Sequence, residues 1–221
     1  LRKIDGDYKP DFIWANGKLS QKVLSKSKNK KNKILISGLF KKNVSKKISY
    51  NIKDKNILVI PEGIYDECKK LFEFSYLVAK QNKNFKFIWR LHPVINLHKL
   101  KRILNFDLEK IPMNIIISKK RLITDSQNSS YVLYRGSAAV VDSIRYGCKP
   151  IYYIYQNQKY FDPIINFKFE KEMVKNIYEM NSLLKKEMTN IKRKNIIRKA
   201  DKFYKLAFGE IEYKSVMLSL R

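Results

Sequence analysis

Tyr131-Val-Leu-Tyr-Arg-Gly-Ser-Ala-Ala-Val-Val-Asp-Ser-Ile-Arg-Tyr-Gly147-Cys-Lys-Pro150-Ile-Tyr-Tyr-Ile154 reads as strand, tight turn, helix, glycine stop and strand. Tyr131 to Tyr134 is a β-prone run, and Gly136 takes a sharp turn at low steric cost. Ser137 is placed to cap a helix whose apolar side is Val140, Val141 and Ile144. Gly147 ends that helix and Pro150 opens a second buried strand. With the helix beginning at Ser137, its first turn carries no acidic side chain, and its amides face an anion without competition. A Gly-Ser turn at the carboxyl end of a strand is where open α/β sheets bind phosphates.

The pattern repeats outward from this stretch. Asn56-Ile-Leu-Val-Ile60 is strand-like and runs into Pro61-Glu62-Gly63. Apolar residues then recur at Ile64, Cys68, Leu71, Phe72, Val78 and Ala79, which is helical spacing. Phe85-Lys-Phe-Ile-Trp-Arg90 is the next strand and ends in Leu91-His92-Pro93; a helical stretch over roughly 95–106 separates it from Asn114-Ile-Ile-Ile117. Strands alternating with helices imply crossover connections. The expected fold is α/β: a Rossmann-like, mostly parallel sheet with flanking helices, followed by a helical C-terminal tail.

Three segments are expected. Residues 1–55 hold Asp11-Phe-Ile-Trp-Ala15, Asn16-Gly17, a helical piece near Leu19 to Leu24, a strand at Ile34-Leu-Ile36, and lysine-rich runs that read as exposed linker. Residues 56–165 are the α/β unit. Residues 166–221 are helix-prone, with Met173, Ile177, Leu183, Leu184 and Ile191 at helical spacing.

Composition excludes several classes. At 221 residues the chain can bury a core without staples. Cys68 and Cys148 sit in helical patterns, which favours reduced thiols in a cytosolic setting over a disulfide framework. No apolar run is long enough to cross a membrane, and Leu1-Arg-Lys-Ile-Asp-Gly does not read as a signal peptide. The net charge of +27 would ordinarily point to nucleic acid or an anionic membrane surface. Most of the excess is lysine in a chain also rich in Ile and Asn, three residues that share AT-rich codons. Arginine, the better phosphate reader, is sparse. A solvated lysine surface is the reading preferred, with peripheral contact to an anionic membrane left open. A nucleic-acid-binding module ranks last, for want of a recognised motif or Arg-aromatic interleaving.

Several residues at the strand ends invite a chemical role. His92 is held extended by Pro93 at a strand's carboxyl end. It is a phosphate ligand or a loop histidine bonded to a carbonyl. Ser137 is a phosphate contact, a helix cap, or both. Arg135 reaches an anion or points to solvent. Glu62 and Gly63 follow the first strand on the same edge. Asp66 and Glu67, in the next helix's first turn, suit its dipole and make that loop a poor anion site. Tyr152, Tyr153, Tyr155 and Tyr160 could stack a base, though strand tyrosines more often pack. Two histidines and no Asp-x-Asp argue against a dedicated metal site, and no cofactor is expected.

The order Pro61-Glu-Gly63, Arg90-Leu-His-Pro93, Gly136-Ser137 resembles the C-terminal, nucleotide-donor half of a GT-B glycosyltransferase over about residues 10–155. It is most similar to bacterial surface-carbohydrate enzymes: the sialyltransferase and Kdo-transferase-like groups and the CDP-glycerol glycerophosphotransferases. In the sialyltransferases a His-Pro motif and a downstream serine motif contact the CMP part of the donor; His92-Pro93 and Ser137 match in order. Ser137-Ala138 stands where that family pairs two hydroxyls, and Pro61-Glu62-Gly63 only partly echoes its acidic-acidic-Gly motif. The resemblance implies transfer of a sugar from a CMP-linked donor to a glycan or lipid-linked acceptor, in the cytoplasm or at the inner face of the cell membrane. His92 and Glu62 are the implied catalytic residues. His92, Pro93, Gly136, Ser137, Arg135, Asp142 and Gly63 are the implied nucleotide contacts, with Asp142 on the ribose. A CDP-glycerol-type phosphotransferase and a nucleotide-sugar epimerase are the alternatives on the same architecture.

Overall fold

The computed structural model describes residues 10–26, 33–38, 55–156, 162–210 and 213–218. Most of the expected linker and Tyr160 lie outside these residues. Two compact units form, one of residues 1–46 with 201–221 and one of residues 47–200.

The smaller unit holds β1 (Phe12–Ala15), α1 (Lys18–Ser25) and β2 (Lys33–Ile36), with the two strands parallel and in register from Phe12–Lys33 to Ala15–Ile36. Its C-terminal portion includes α8 (Tyr213–Leu218), and the Gly209 amide donates to the Asn16 carbonyl at 2.8 Å.

In the larger unit the strands are β3 (Asn56–Pro61), β4 (Lys86–Trp89), β5 (Ile115–Ile117), β6 (Tyr131–Arg135), β7 (Lys149–Tyr153) and β8 (Glu172–Val174). They form one six-stranded sheet in the order β5-β4-β3-β6-β7-β8, with every pairing parallel. The expected Rossmann-like α/β sheet is therefore present, with the strand order of a doubly wound dinucleotide-binding fold. β3, β6 and β7 are buried along their whole length, because helices cover both faces. That is why they read as continuous apolar runs rather than alternating ones.

Helix α2 (Tyr65–Gln81) covers one face through Cys68, Leu71, Phe72, Ser75, Val78 and Ala79, the i, i+3, i+4 set of an amphipathic helix. Each large apolar side chain buried there contributes about 1.5–3 kcal/mol. Phe72 stacks on Trp89 of β4 with centroids 4.4 Å apart, and Phe74 stacks on Tyr153 of β7 at 4.0 Å. Helix α3 (Leu97–Ile103) starts where the Asn96 side chain accepts from the amides of His98 and Lys99. Helix α4 (Leu122–Gln127), unexpected from the sequence, precedes β6.

Helix α5 spans Val140–Arg145, two residues later than a Ser137 cap requires. The Val140 amide donates to the Ser137 carbonyl at 3.3 Å and Val141 to Ala138 at 3.1 Å. These i→i−3 bonds make a tight turn of Ser137–Ala139 ahead of the helix. The helix ends as expected: Gly147 has φ +87°, its amide donates to Ile144, and the Cys148 amide donates to Ser143. That is a Schellman stop.

The sheet continues past residue 165, the boundary expected from the sequence. Residues 166–200 supply its last strand and helix α6 (Ile177–Leu184), and helix α7 (Asn190–Ala207) starts within this unit. Three residues, Glu-Met-Val, are too few to carry a strand pattern. Arg193 of α7 is buried and donates to the carbonyls of Gln127, Ser129 and Tyr146, at 3.1, 2.9 and 2.9 Å. A cation thus meets the carboxyl ends of α4 and α5, where helix dipoles are negative. No helix among the described residues is long and apolar enough to cross a membrane.

Candidate functional site at the carboxyl edge of the sheet

In a parallel sheet of this order the connections from β3 and β6 leave in opposite directions, and a crevice opens outside their carboxyl ends. The chain has a cleft of about 420 Å³ there. Its walls are Pro61 and Glu62 after β3, Arg90 to Pro93 after β4, Leu122 of α4, and Gly136 to Ala139 after β6. Of the residues singled out from the sequence, Glu62, His92, Pro93, Gly136 and Ser137 meet in this cleft. A larger groove of about 700 Å³ lies around Lys55, Phe85, Tyr131 and Lys185, at the opposite end of the strands. No strand-to-helix turn of the β6 type faces it.

The β6 turn exists because Gly136 adopts φ +73°, a conformation that costs an L side chain about 1–2 kcal/mol. The amides of Ser137, Ala138 and Ala139 then donate to no backbone carbonyl among the described residues. The Ser137 side chain does not cap α5; position 139 is the N-cap and no side chain bonds there. Its hydroxyl makes no hydrogen bond to the described residues, although Ser137 is buried and lines the cleft.

His92 follows β4 in a turn closed by the Ile95 amide donating to the His92 carbonyl at 2.9 Å. The Val94 amide points to His92 Nδ1 at 3.4 Å, a long contact, and Nε2 makes no hydrogen bond among the described residues. Gly63 sits against this ring. A Cβ at position 63 would lie 2.8 Å from Val94 Cγ2 and 2.9 Å from His92 Nδ1. Gly63 therefore makes room for the histidine rather than forming the cleft wall.

Two expected contacts do not reach the cleft. Arg135 reaches a carboxylate of the fold itself rather than the cleft or solvent: its guanidinium is buried, paired with Glu67 of α2, and donates to the Tyr153 carbonyl at 3.2 Å. Strand alternation places it on the face of Tyr131 and Leu133, the face α2 covers. Asp142 is half-buried in the first turn of α5 and outside the cleft lining. The late start of α5 also means that its first turn does hold a carboxylate. Tyr152 and Tyr153 pack within the fold, Tyr152 edge-on to Tyr134 at 5.4 Å, and Lys70 lies over the Tyr155 ring at 5.0 Å. None of these tyrosines lines the cleft.

One charged lining residue stood in a quoted motif without being given a role. Arg90, next after β4, is ion-paired to the buried Asp125 of α4 and donates to the Lys120 carbonyl. Its place two residues before His92, on the same strand end, was the available signal. No group of three or more His, Cys, Asp or Glu among the described residues could hold a metal ion.

No family model and no curated protein matches the sequence. Solved structures do match in shape. The GtfA/B complex aligns with a TM-score of 0.60 at 10% identity, over 95% of this chain and 45% of the other. A putative UDP-N-acetylglucosamine 2-epimerase from Listeria monocytogenes gives 0.54 at 13% identity, over 95% and 58%. The wall teichoic acid polymerase TagF, soaked with CDPG, gives 0.50 at 13% identity, over 95% and 55%. The chain spans about half the length of these proteins. At such identities the likeness speaks for fold, and the fold is that of GT-B glycosyltransferase-like proteins.

Proposed function

We propose that this chain is the nucleotide-binding half of a GT-B glycosyltransferase, taking a CMP-linked sugar for the synthesis of a bacterial surface polysaccharide. The observation that carries the reading is the convergence of His92 and the Gly136–Ala139 turn on one cleft at the carboxyl edge of the sheet. Three amides without carbonyl partners and an imidazole donor suit an anion.

In the reaction the bond from the anomeric carbon to the phosphate oxygen breaks as an acceptor hydroxyl oxygen bonds to that carbon. The phosphate leaves with the bonding pair, and the acceptor proton passes to a base. His92 Nε2 and the turn amides would hold the developing phosphate charge without a metal. Glu62 is the carboxylate among the residues lining this cleft, and it would serve as base or as a contact to donor or acceptor. Gly63 acts through the position of His92.

A second reading is a CDP-linked phosphotransferase, favoured by the likeness to a teichoic acid polymerase; the same donors would then stabilise CMP as leaving group. Thermal-shift titration with CMP, CDP, UDP and ADP tests the proposal. Saturation at a hundred times Kd raises stability by about 2.7 kcal/mol. Selective stabilisation by CMP and CDP supports the cytidine reading, equal shifts from all four remove it, and no shift from any removes nucleotide binding.

A further inference from the structure

We propose that Arg90 is a phosphate-contacting residue of the cleft, held in place by Asp125; this rests on the cleft being the nucleotide site. Both hydrogen bonds of the Arg90 side chain, to the Asp125 carboxylate and to the Lys120 carbonyl, use Nη1. Nε and Nη2, which carry three of the five guanidinium N–H groups, have no partner among the described residues. The side chain is 21% exposed, whereas Asp125 beneath it is 4% exposed. Arg90 lines the same cleft as His92 and the β6 turn.

The geometry fits a contact better than an ion pair made for stability alone. A structural pair gains most from a bidentate grip, with two guanidinium nitrogens on two carboxylate oxygens. Here one nitrogen serves both the carboxylate and a backbone carbonyl, so the fork is left for another anion. A phosphoryl group presents the paired oxygens that such a fork binds. Asp125 and the Lys120 carbonyl fix the guanidinium before the ligand arrives, which lowers the ordering cost of binding. They also offset the charge of a partly buried arginine in the empty cleft.

Calorimetry on the full chain with CMP, CDP and cytidine tests this, using wild type, Arg90→Gln and Arg90→Lys. Loss of a charge-assisted contact weakens CMP and CDP by about ten- to a hundred-fold. Cytidine, which lacks the phosphate, keeps its affinity in both variants. Arg90→Lys keeps a cation for Asp125 and loses the fork, so it retains the fold and still shows the phosphate-specific loss. Unchanged CMP and CDP affinity in the folded lysine variant overturns the contact while leaving the nucleotide site standing. An equal loss for all three ligands assigns Arg90 a structural role and also overturns it. Absence of CMP and CDP binding to wild type sinks both readings.

Discussion

Glu67 and Arg135, 68 positions apart in the chain, meet as an ion pair within the fold, their side chains 7% and 0% exposed. The pair joins the amino end of α2 to the last residue of β6. Arg135 also holds the end of β7 through the Tyr153 carbonyl, and Glu67 accepts from Lys70 at 3.0 Å. The residue directly before the Gly136 turn is thereby fixed on the face of the sheet that α2 covers.

Removing one partner strands the other charge in a low-dielectric site. Arg135→Met is expected to cost about 3–5 kcal/mol of unfolding free energy. Glu67→Leu combined with Arg135→Met should recover most of that loss, because the desolvation cost disappears with both charges. Urea unfolding of the two single variants and the double variant measures the coupling. Additive losses would show that the two side chains do not interact.

The closeness of Gly63 to His92 gives a second expectation. Gly63→Ala needs no unusual backbone angle, but its methyl group would press on the His92 ring and on exposed Val94. Both can move, so the midpoint of unfolding should shift little, by less than about 1 kcal/mol in equivalent free energy. Nucleotide affinity should fall with the displaced imidazole. An affinity equal to that of wild type would mean that His92 takes no part in binding, and His92→Ala would then be silent too.

Ser137 separates capping from binding. A helix cap lost to alanine costs about 1 kcal/mol of stability. Position 139 is the N-cap, and the Ser137 hydroxyl bonds to nothing among the described residues. Ser137→Ala should accordingly leave stability within about 0.5 kcal/mol and weaken nucleotide binding by about 0.5–1.5 kcal/mol. Melting and calorimetry on this one variant decide the matter; a stability loss with unchanged affinity would restore the cap.

These residues show how far the sequence could be read. Strands β3, β4, β6 and β7 were legible because burial on both faces leaves long apolar runs, and Gly147 marked a helix end that φ +87° confirms. Helix α4 was missed: Leu-Ile-Thr-Asp-Ser-Gln has poor helix formers and no full turn of periodicity, and packing decides its conformation. The start of α5 was placed early because a Gly-Ser pair signals a turn, but not how many residues that turn consumes. Arg135 looked like a site residue by its neighbours in sequence. The two-residue alternation from Tyr131 and Leu133 already put it on the inner face, where only a partner such as Glu67 lets it stay. That partner lay 68 positions away and no local pattern points to it.

Alkaline pH offers a test of the core itself. Burial pushes the thiols of Cys68 and Cys148 up from 9.0 to about 12. It likewise pushes the phenols of Tyr131 and Tyr153 up from 10.0 to about 12, and raises Tyr134 further. Nearby Glu187 adds to the shift at Tyr131, as Tyr155 does at Tyr153. In each case the folded state keeps a proton that the unfolded chain releases at lower pH. Above about pH 9 the unfolded state therefore binds fewer protons, and stability must fall as pH rises. The loss should begin near the unfolded thiol pKa, steepen through the phenol range, and level off only above about pH 12, with each group contributing up to about 1.4 kcal/mol per pH unit. Below pH 8 these groups are protonated in both states and contribute no slope. Urea midpoints measured from pH 7 to 11 report the effect. Thiol titration at pH 8 should find both cysteines unreactive in the native protein and reactive in urea. Fast native reaction of either thiol, or midpoints flat to pH 11, would show that these side chains are not sealed beneath α2 and α5.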